Sequence, residues 1–290
     1  MRDDAPSRTA QWVAAARGLG RLLPEAVRIA DDPYGLAFSS STIARLVDRQ
    51  PSARAEAIAR IPGLSAWIVY MQVRTRVIDD AVRAFVAAGG HQVVVLGAGY
   101  DTRALRLPEL AAAQVFEIDH PATQDDKLAA LARLDVTSPA QLVSWDFETR
   151  PMDELPDTLA DIGHDRAAPT LTIWEGVTMY LTEGAIDASL DAIAAWSAPA
   201  SELVMTYYAR GVHRPSLAGR AFRALLKQIG EPFKFGWAPD ELPAYLAAHR
   251  FELLRDLAAA DAARQLLPAA LAAQISAAES HIATARIAPR

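Results

Sequence analysis

The residues best placed to do chemistry form one short run, Val93-Val94-Val95-Leu96-Gly97-Ala98-Gly99-Tyr100-Asp101-Thr102-Arg103, with an acid, Asp119, twenty residues after Gly99. A β-branched strand that passes through Gly-x-Gly into a helix gives a backbone that turns sharply and lets a ligand lie against it. A carboxylate at the end of the next strand can accept both hydroxyls of a ribose. The spacing predicts a nucleotide-type cofactor site; the competing reading is a tight strand–helix turn that binds nothing. The dinucleotide fingerprint asks for a third small residue where Thr102 stands, followed here by Arg103, and two acids, Glu117 and Asp119, close the second strand. This pattern fits S-adenosylmethionine better than NAD and leaves NAD open.

Positioning such a loop takes a sheet, and the periodicity supplies one. Gln92 to Leu96 is a compact run bounded by glycines, as in a strand buried on both faces. Gln114 to Ile118, Gln141 to Ser144, Thr170 to Trp174 and Glu202 to Tyr207 read as further strands. Helical stretches at Ala122 to Leu134, Leu155 to Ile162 and Glu183 to Ser197 separate most of them, which predicts a mainly parallel sheet covered on both faces. Residues 8 to 86 read as helical, with Thr9 as the N-cap of a first helix, short helices at Ser41 to Arg49 and Ala53 to Ile61, and a long helix from Ser65 to Ala88. Helix returns at Pro239 to Ala248 and Ala263 to Ala278, and Phe251 to Leu254 and His281 to Ile287 are candidate closing strands; a continued helix is the alternative for the last.

Composition narrows the field. A chain of 290 residues, 51% hydrophobic, has room for two domains or one large α/β unit. The lack of cysteine removes disulfide frameworks, thiolate catalysis and cysteine zinc sites. Lys and Arg number 29 against 35 Asp and Glu, a balance that argues against nucleic acid as the main partner. No apolar run reaches membrane-spanning length and the first residues, MRDDAPSRTAQW, lack a signal-peptide core, so a soluble cytoplasmic protein is the expectation.

Several spaced motifs go further. They are Thr9-Ala10 with Ala14-Ala15-Ala16-Arg17, Asp32-Pro33-Tyr34, Arg74-Thr75-Arg76 with Asp79-Asp80, the loop from Leu96 to Arg103, Phe116-Glu117-Ile118-Asp119-His120-Pro121 followed by Lys127, Trp174-Glu175-Gly176-Val177-Thr178-Met179-Tyr180-Leu181, and Gly230-Glu231-Pro232-Phe233 with Glu241-Leu242-Pro243. In this order the chain resembles the leucine carboxyl methyltransferase superfamily, in particular its bacterial S-adenosylmethionine-dependent O-methyltransferases, from Thr9 to Ile287. The resemblance implies a class I methyltransferase, Rossmann-like α/β fold with a mostly parallel seven-stranded sheet. It implies a single domain, with residues 1–91 as a helical cap and 92–290 as the core, carrying a lid insertion at about 209–238.

The resemblance also implies roles. Arg74 matches an arginine that binds the cofactor's methionine carboxylate, with Arg17 as a second positive group. Gly97, Ala98 and Gly99 would lie along the methionine portion, Asp119 would hold the ribose, Asp146 and Phe147 the adenine, and Glu175 is a further pocket acid. The residues support two of these independently. Arg76 has Asp79 and Asp80 at i+3 and i+4, and Arg83 has Asp79 at i−4, so both read as surface ion pairs. Arg74 has Tyr70, Met71, Val77 and Ile78 at those offsets and no acid within reach on its own helix, so its partner is either a ligand carboxylate or a tertiary one. Glu175 follows an apolar run where a glutamate is costly to bury without a partner.

The implied reaction is methyl transfer to an oxygen of a small-molecule acceptor, including polyketide-like acids and phenols. A carboxylate acceptor is already ionised at neutral pH and needs no general base, whereas a hydroxyl would profit from one. His213, in the lid, and Tyr180 and Tyr207, near strand ends, are the candidates for contacting that acceptor; core packing is the alternative for the tyrosines. The aromatics Phe222, Phe233, Phe235 and Trp237 would either line an apolar acceptor site or anchor the lid. No metal is expected, because Asp31-Asp32, Asp79-Asp80 and Asp125-Asp126 are adjacent pairs that read as solvated charge. A protein C-terminal carboxyl methyltransferase, an NAD(P)-dependent oxidoreductase and a non-catalytic cofactor-binding protein stand as the alternatives.

Overall fold

The run of β-branched residues before the glycines forms a central strand in the computed structural model, which describes residues 6–39, 64–147, 149–211, 233–275 and 279–288. Seven strands make one sheet: β1 (Gln92–Leu96), β2 (Gln114–Asp119), β3 (Gln141–Ser144), β4 (Thr170–Trp174), β5 (Glu202–Tyr208), β6 (Phe251–Ala258) and β7 (Ser280–Ile287), in the order β3-β2-β1-β4-β5-β7-β6. The first five run parallel, and β7 is inserted antiparallel between β5 and β6. This is the Rossmann-like α/β class expected from the alternation of strands and helices. The order reverses between β1 and β4, and in open parallel sheets such a switch point leaves a crevice at the carboxyl ends of the strands.

The helices are α1 (Arg8–Leu19), α2 (Leu64–Ala87), α3 (Arg103–Arg106), α4 (Pro121–Ala132), α5 (Leu155–Asp161), α6 (Glu183–Trp196), α7 (Leu242–Ala248), α8 (Ala259–Leu266) and α9 (Ala269–Ala272). Because side chains alternate along a strand, Val94 and Leu96 of β1 face α5 and α6 through Leu155, Leu159, Ile186 and Leu190. Val93 and Val95 face Ile78, Val82 and Phe85 of α2 on the other side. Every residue of β1 and β4 is buried, as in strands covered on both faces. The amino-terminal helices share a core with α8: Ala16, Leu19, Ile68, Met71 and Val73 pack with Ala259, Ala262, Ala263 and Leu267.

The structure amends several expectations. The N-cap of α1 is Ser7, whose hydroxyl accepts from the Ala10 N–H at 3.2 Å, not Thr9, which already lies within the helix. The helix expected over 263–278 is two short ones, α8 and α9, because Pro268 has no N–H to give and stands as the N-cap of the second. β6 is twice the expected length, since pairing with β7 carries it to Ala258. The helices expected at 41–49 and 53–61, and most of the expected lid, 212–232, lie outside the described residues.

Candidate functional site

At the switch point the loops after β1 and β4 meet over a cavity of about 400 Å³. The first loop is shaped by its glycines. Gly97 and Gly99 have φ of +69° and +52°, and a Cβ at Gly97 would come within 2.5 Å of Val177 Cγ2 on the opposite loop. The N–H groups of Gly97 and Ala98 both donate to the Ile118 carbonyl at 2.9 Å, which hooks the loop over the end of β2. There Asp119 accepts from the Gly99 N–H at 2.6 Å and from the His120 N–H at 2.7 Å. Burial pushes the Asp119 pKa up, and these two bonds only partly offset that push.

The second loop carries Glu175, which accepts through one oxygen from Arg74 Nε and through the other from Arg103 Nη2, each at 2.7 Å. Arg103 also pairs with Asp101 and, at 3.0 Å, with Asp79; Asp79 in turn accepts from Arg106 at 2.6 and 2.8 Å. Arg17 closes the set on the α1 side, donating to Asp32 at 2.8 Å and to the Tyr100 carbonyl. Four arginines thus face four carboxylates, all buried or nearly so. Burial raises the Glu175 pKa, but Arg103 and Arg74 outweigh it and hold the carboxyl well below the usual range. Burial likewise opposes the charge of Arg74, and Glu175 reverses the sign and raises its pKa.

Arg17, Arg74, Gly97, Ala98, Gly99, Asp119, Asp146, Phe147, Glu175 and Tyr180 all line this one cavity. The sequence left Arg74 between a ligand and a tertiary carboxylate; its Nε has the tertiary one, Glu175. Its terminal nitrogens lie beside Gly176, 3.9 Å from where a Cβ would stand, and Arg74 lines the cavity. Asp146 accepts from the Thr149 hydroxyl at 2.7 Å.

Other expectations need correction. Tyr207 does not line the cavity; its hydroxyl donates to Asp256 at 2.6 Å and its ring packs edge-on against Trp237. His213 and Phe222 lie outside the described residues. Phe233 packs against Tyr180 and Tyr208, and Phe235 and Trp237 against Tyr245, so these aromatics anchor the chain to the core instead of lining the cavity. Arg76 and Arg83 both pair with Asp80, while Asp79, expected at the surface, is 1% exposed and belongs to Arg103 and Arg106. Asp32 is equally buried beside Arg17. Adjacent acids on a helix or turn point in different directions, so one of each pair reached the interior.

Charged cavity and network residues that were given no site role in the sequence include Asp79, Arg103, His120 and Lys234, along with Asp32, Asp101 and Arg106. Arg103 carried the signal that singled out Arg74, since no acid stands at i±3 or i±4. His120 is the N-cap of α4, Nδ1 accepting from the Ala122 N–H at 3.2 Å. Lys234 is drawn to the cavity mouth by its backbone N–H, which donates to the Met179 carbonyl at 2.7 Å. Among the described residues no group of three His, Cys, Asp or Glu could hold a metal ion, and no helix is long and apolar enough to cross a membrane.

A family profile described as leucine carboxyl methyltransferase matches residues 10–194. The chain is 37% identical over 204 residues to a protein of Mycobacterium sp. strain JLS named as a candidate S-adenosyl-L-methionine-dependent methyltransferase, a match covering 69% of this chain and 65% of that one. A Streptomyces avermitilis protein of the same description is 34% identical over 193 residues, covering 65% of each. The chain thus spans about two thirds of the length of these relatives. Among solved structures, that of a candidate methyltransferase from Thermobifida fusca superposes with a TM-score of 0.57 at 19% identity, over 94% of this chain and 98% of that one. A duf574 family protein from Streptomyces avermitilis gives 0.57 at 17% identity, over 95% and 97%. At such identities the likeness is one of fold.

Proposed function

This chain belongs to the leucine carboxyl methyltransferase family, and from that premise we propose that it is an S-adenosylmethionine-dependent O-methyltransferase acting on a small molecule. The observation that carries the reading is the convergence of Arg74, the Gly97–Gly99 loop, Asp119, Asp146 with Phe147, and Glu175 on a single cavity at the switch point. The donor set fits the cofactor piece by piece. The network around Glu175 is balanced, four cations against four anions, and so suits the zwitterionic amino-acid end of the cofactor without a net electrostatic penalty. Arg74, which lines the cavity next to Gly176, would hold its carboxylate, with Arg17 also lining the cavity. Asp119 would take the ribose hydroxyls, and Asp146 and Phe147 the amine and the ring of adenine.

When bound, the cofactor supplies a methyl group on a cationic sulfur, which passes to an acceptor oxygen and leaves a neutral thioether. The chain's own work is alignment and the exclusion of water. α1 does the second, laying Ala10 within 3.3 Å of where a Cβ would stand at Gly99. Tyr180, in the loop after β4, faces the cavity on the acceptor side. Lys234 is the one lysine or arginine lining the cavity that has no ion pair among the described residues, and it favours an acceptor carrying an anionic group. A carboxylate acceptor needs no base, in keeping with a cavity in which Glu175 is committed to arginines and Asp119 accepts from backbone N–H groups.

Calorimetry with S-adenosylhomocysteine and with NAD tests the cofactor: binding of the first and not the second is expected, and the reverse would sink the proposal. Transfer of labelled methyl to members of a panel of carboxylates and phenols tests the reaction. Labelling of a protein C-terminus alone would move the assignment to the family's other substrate type.

A further inference from the structure

His120 is more than nine-tenths buried and lines the cavity beside Asp119. Its Nδ1 accepts from the Ala122 N–H at 3.2 Å, so that nitrogen is unprotonated and the neutral ring carries its hydrogen on Nε2. No group among the described residues takes that hydrogen. The Nε2–H is not sealed inside the protein, and the open space that His120 borders is the cavity, where a ligand oxygen can take the hydrogen in place of water. The neighbouring carboxylate is held in place from the same residue: the His120 N–H donates to one Asp119 oxygen and the Gly99 N–H to the other. Each oxygen keeps a lone pair for an incoming hydroxyl.

The chemistry of a cis-diol completes the picture. Two hydroxyls that give their protons to one carboxylate still present oxygen lone pairs, and an acid alone cannot satisfy them. We propose that His120 is a second contact for the cofactor's ribose, its Nε2–H donating to one diol oxygen while Asp119 accepts from the diol. This rests on the cofactor reading above and names a residue that reading does not need. The helix cap and the ligand contact are then one device, because the bond that caps α4 fixes the tautomer that makes Nε2 a donor.

The test compares two variants that both lose the cap. His120→Gln retains a donor near the Nε2 position, and His120→Phe retains a ring without one. Calorimetry of S-adenosylhomocysteine and of its 2′-deoxy and 3′-deoxy analogues, with urea unfolding to verify that both variants fold, separates the possibilities. We expect His120→Phe to weaken S-adenosylhomocysteine by about tenfold, as for one hydrogen bond of ordinary strength, and His120→Gln by much less. One of the two deoxy analogues should be indifferent to His120→Phe. Equal losses in both variants, no loss in His120→Phe, or an equal loss for all three ligands would overturn the assignment. Wild-type protein that binds no S-adenosylhomocysteine would instead end the cofactor reading itself.

Discussion

Glu175, in the loop after β4, and Glu117, on β2, are both glutamates held largely out of solvent, yet their surroundings drive them in opposite directions. Glu175 lies between two guanidiniums, and Arg103 and Arg74 together overcome the burial that would otherwise protonate it. Glu117 has one partner, Lys127, and burial wins: its pKa is raised. Glu175 lines the cavity and Glu117 does not. A buried ion pair is therefore no marker of a ligand site in this molecule. What marks the site is charge shared among several partners at the edge of open space.

The comparison breaks most readily at Arg103, the cation that Asp79, Asp101 and Glu175 share. Arg103→Met should lower the unfolding free energy by about 3–5 kcal/mol, since it strands buried carboxylates, whereas Lys127→Met should cost less because Glu117 is already inclined to take up a proton. Urea unfolding of the two variants measures this, and equal losses would mean that sharing confers nothing. Lys127→Met should also leave S-adenosylhomocysteine affinity unchanged. Arg74→Ala comes next, with affinity reduced by about 1.5–3 kcal/mol on the calorimeter, the range for a hydrogen bond to a charged group. Unchanged affinity would confine Arg74 to its bond with Glu175.

Acid unfolding sharpens the contrast. The Glu175 pKa is below its unfolded value, so its contribution to stability is complete above about pH 4.5 and is lost as pH falls through the folded value. Glu117 has the opposite sign: its raised pKa penalises the folded state above the unfolded value and relaxes as pH falls. Unfolding free energies measured from pH 7 to 3 should fall less steeply below pH 5 in Glu175→Gln than in the wild type. An unaltered slope would contradict the depressed pKa. The smallest effect is expected away from the cavity, where Tyr207→Phe removes one hydrogen bond to Asp256, costs about 1 kcal/mol of stability and leaves S-adenosylhomocysteine affinity within twofold. A larger change in affinity would return Tyr207 to the site.

Much of this was legible in the chain. Five parallel strands announced themselves as short β-rich runs set between helical stretches, and the glycine loop with Asp119 located the cavity, because those features are local in sequence. Arg74 was legible by elimination, having no acid three or four residues away on its helix, and the same reasoning applies to Arg103. The fate of Asp79 was hidden. It has arginines at helical spacing on either side, and only the crossing of α2 with the turn after β1 decides that Arg103 and Arg106 claim it. Tyr207 was misread because a strand end near the ligand side fixes where a residue sits, not which way its ring leaves the sheet. The break at Pro268 is legible too, since a proline inside an alanine-rich helical pattern has no N–H to continue the helix.

The antiparallel placement of β7 has a consequence for the order of events in folding. β6 precedes β7 in the chain but lies at the edge of the sheet and pairs with β7 alone. Its backbone groups stay unclaimed until β7, more than twenty residues downstream, pairs with it, and the two join the sheet only when β7 docks on β5. That step joins segments far apart in sequence, the kind of closure that is slow, and the waiting strand includes Leu253 and Leu254. The hazard to this protein before it is fully folded thus lies at the edge of the sheet remote from the glycine loop, where an unpaired strand invites the wrong neighbour.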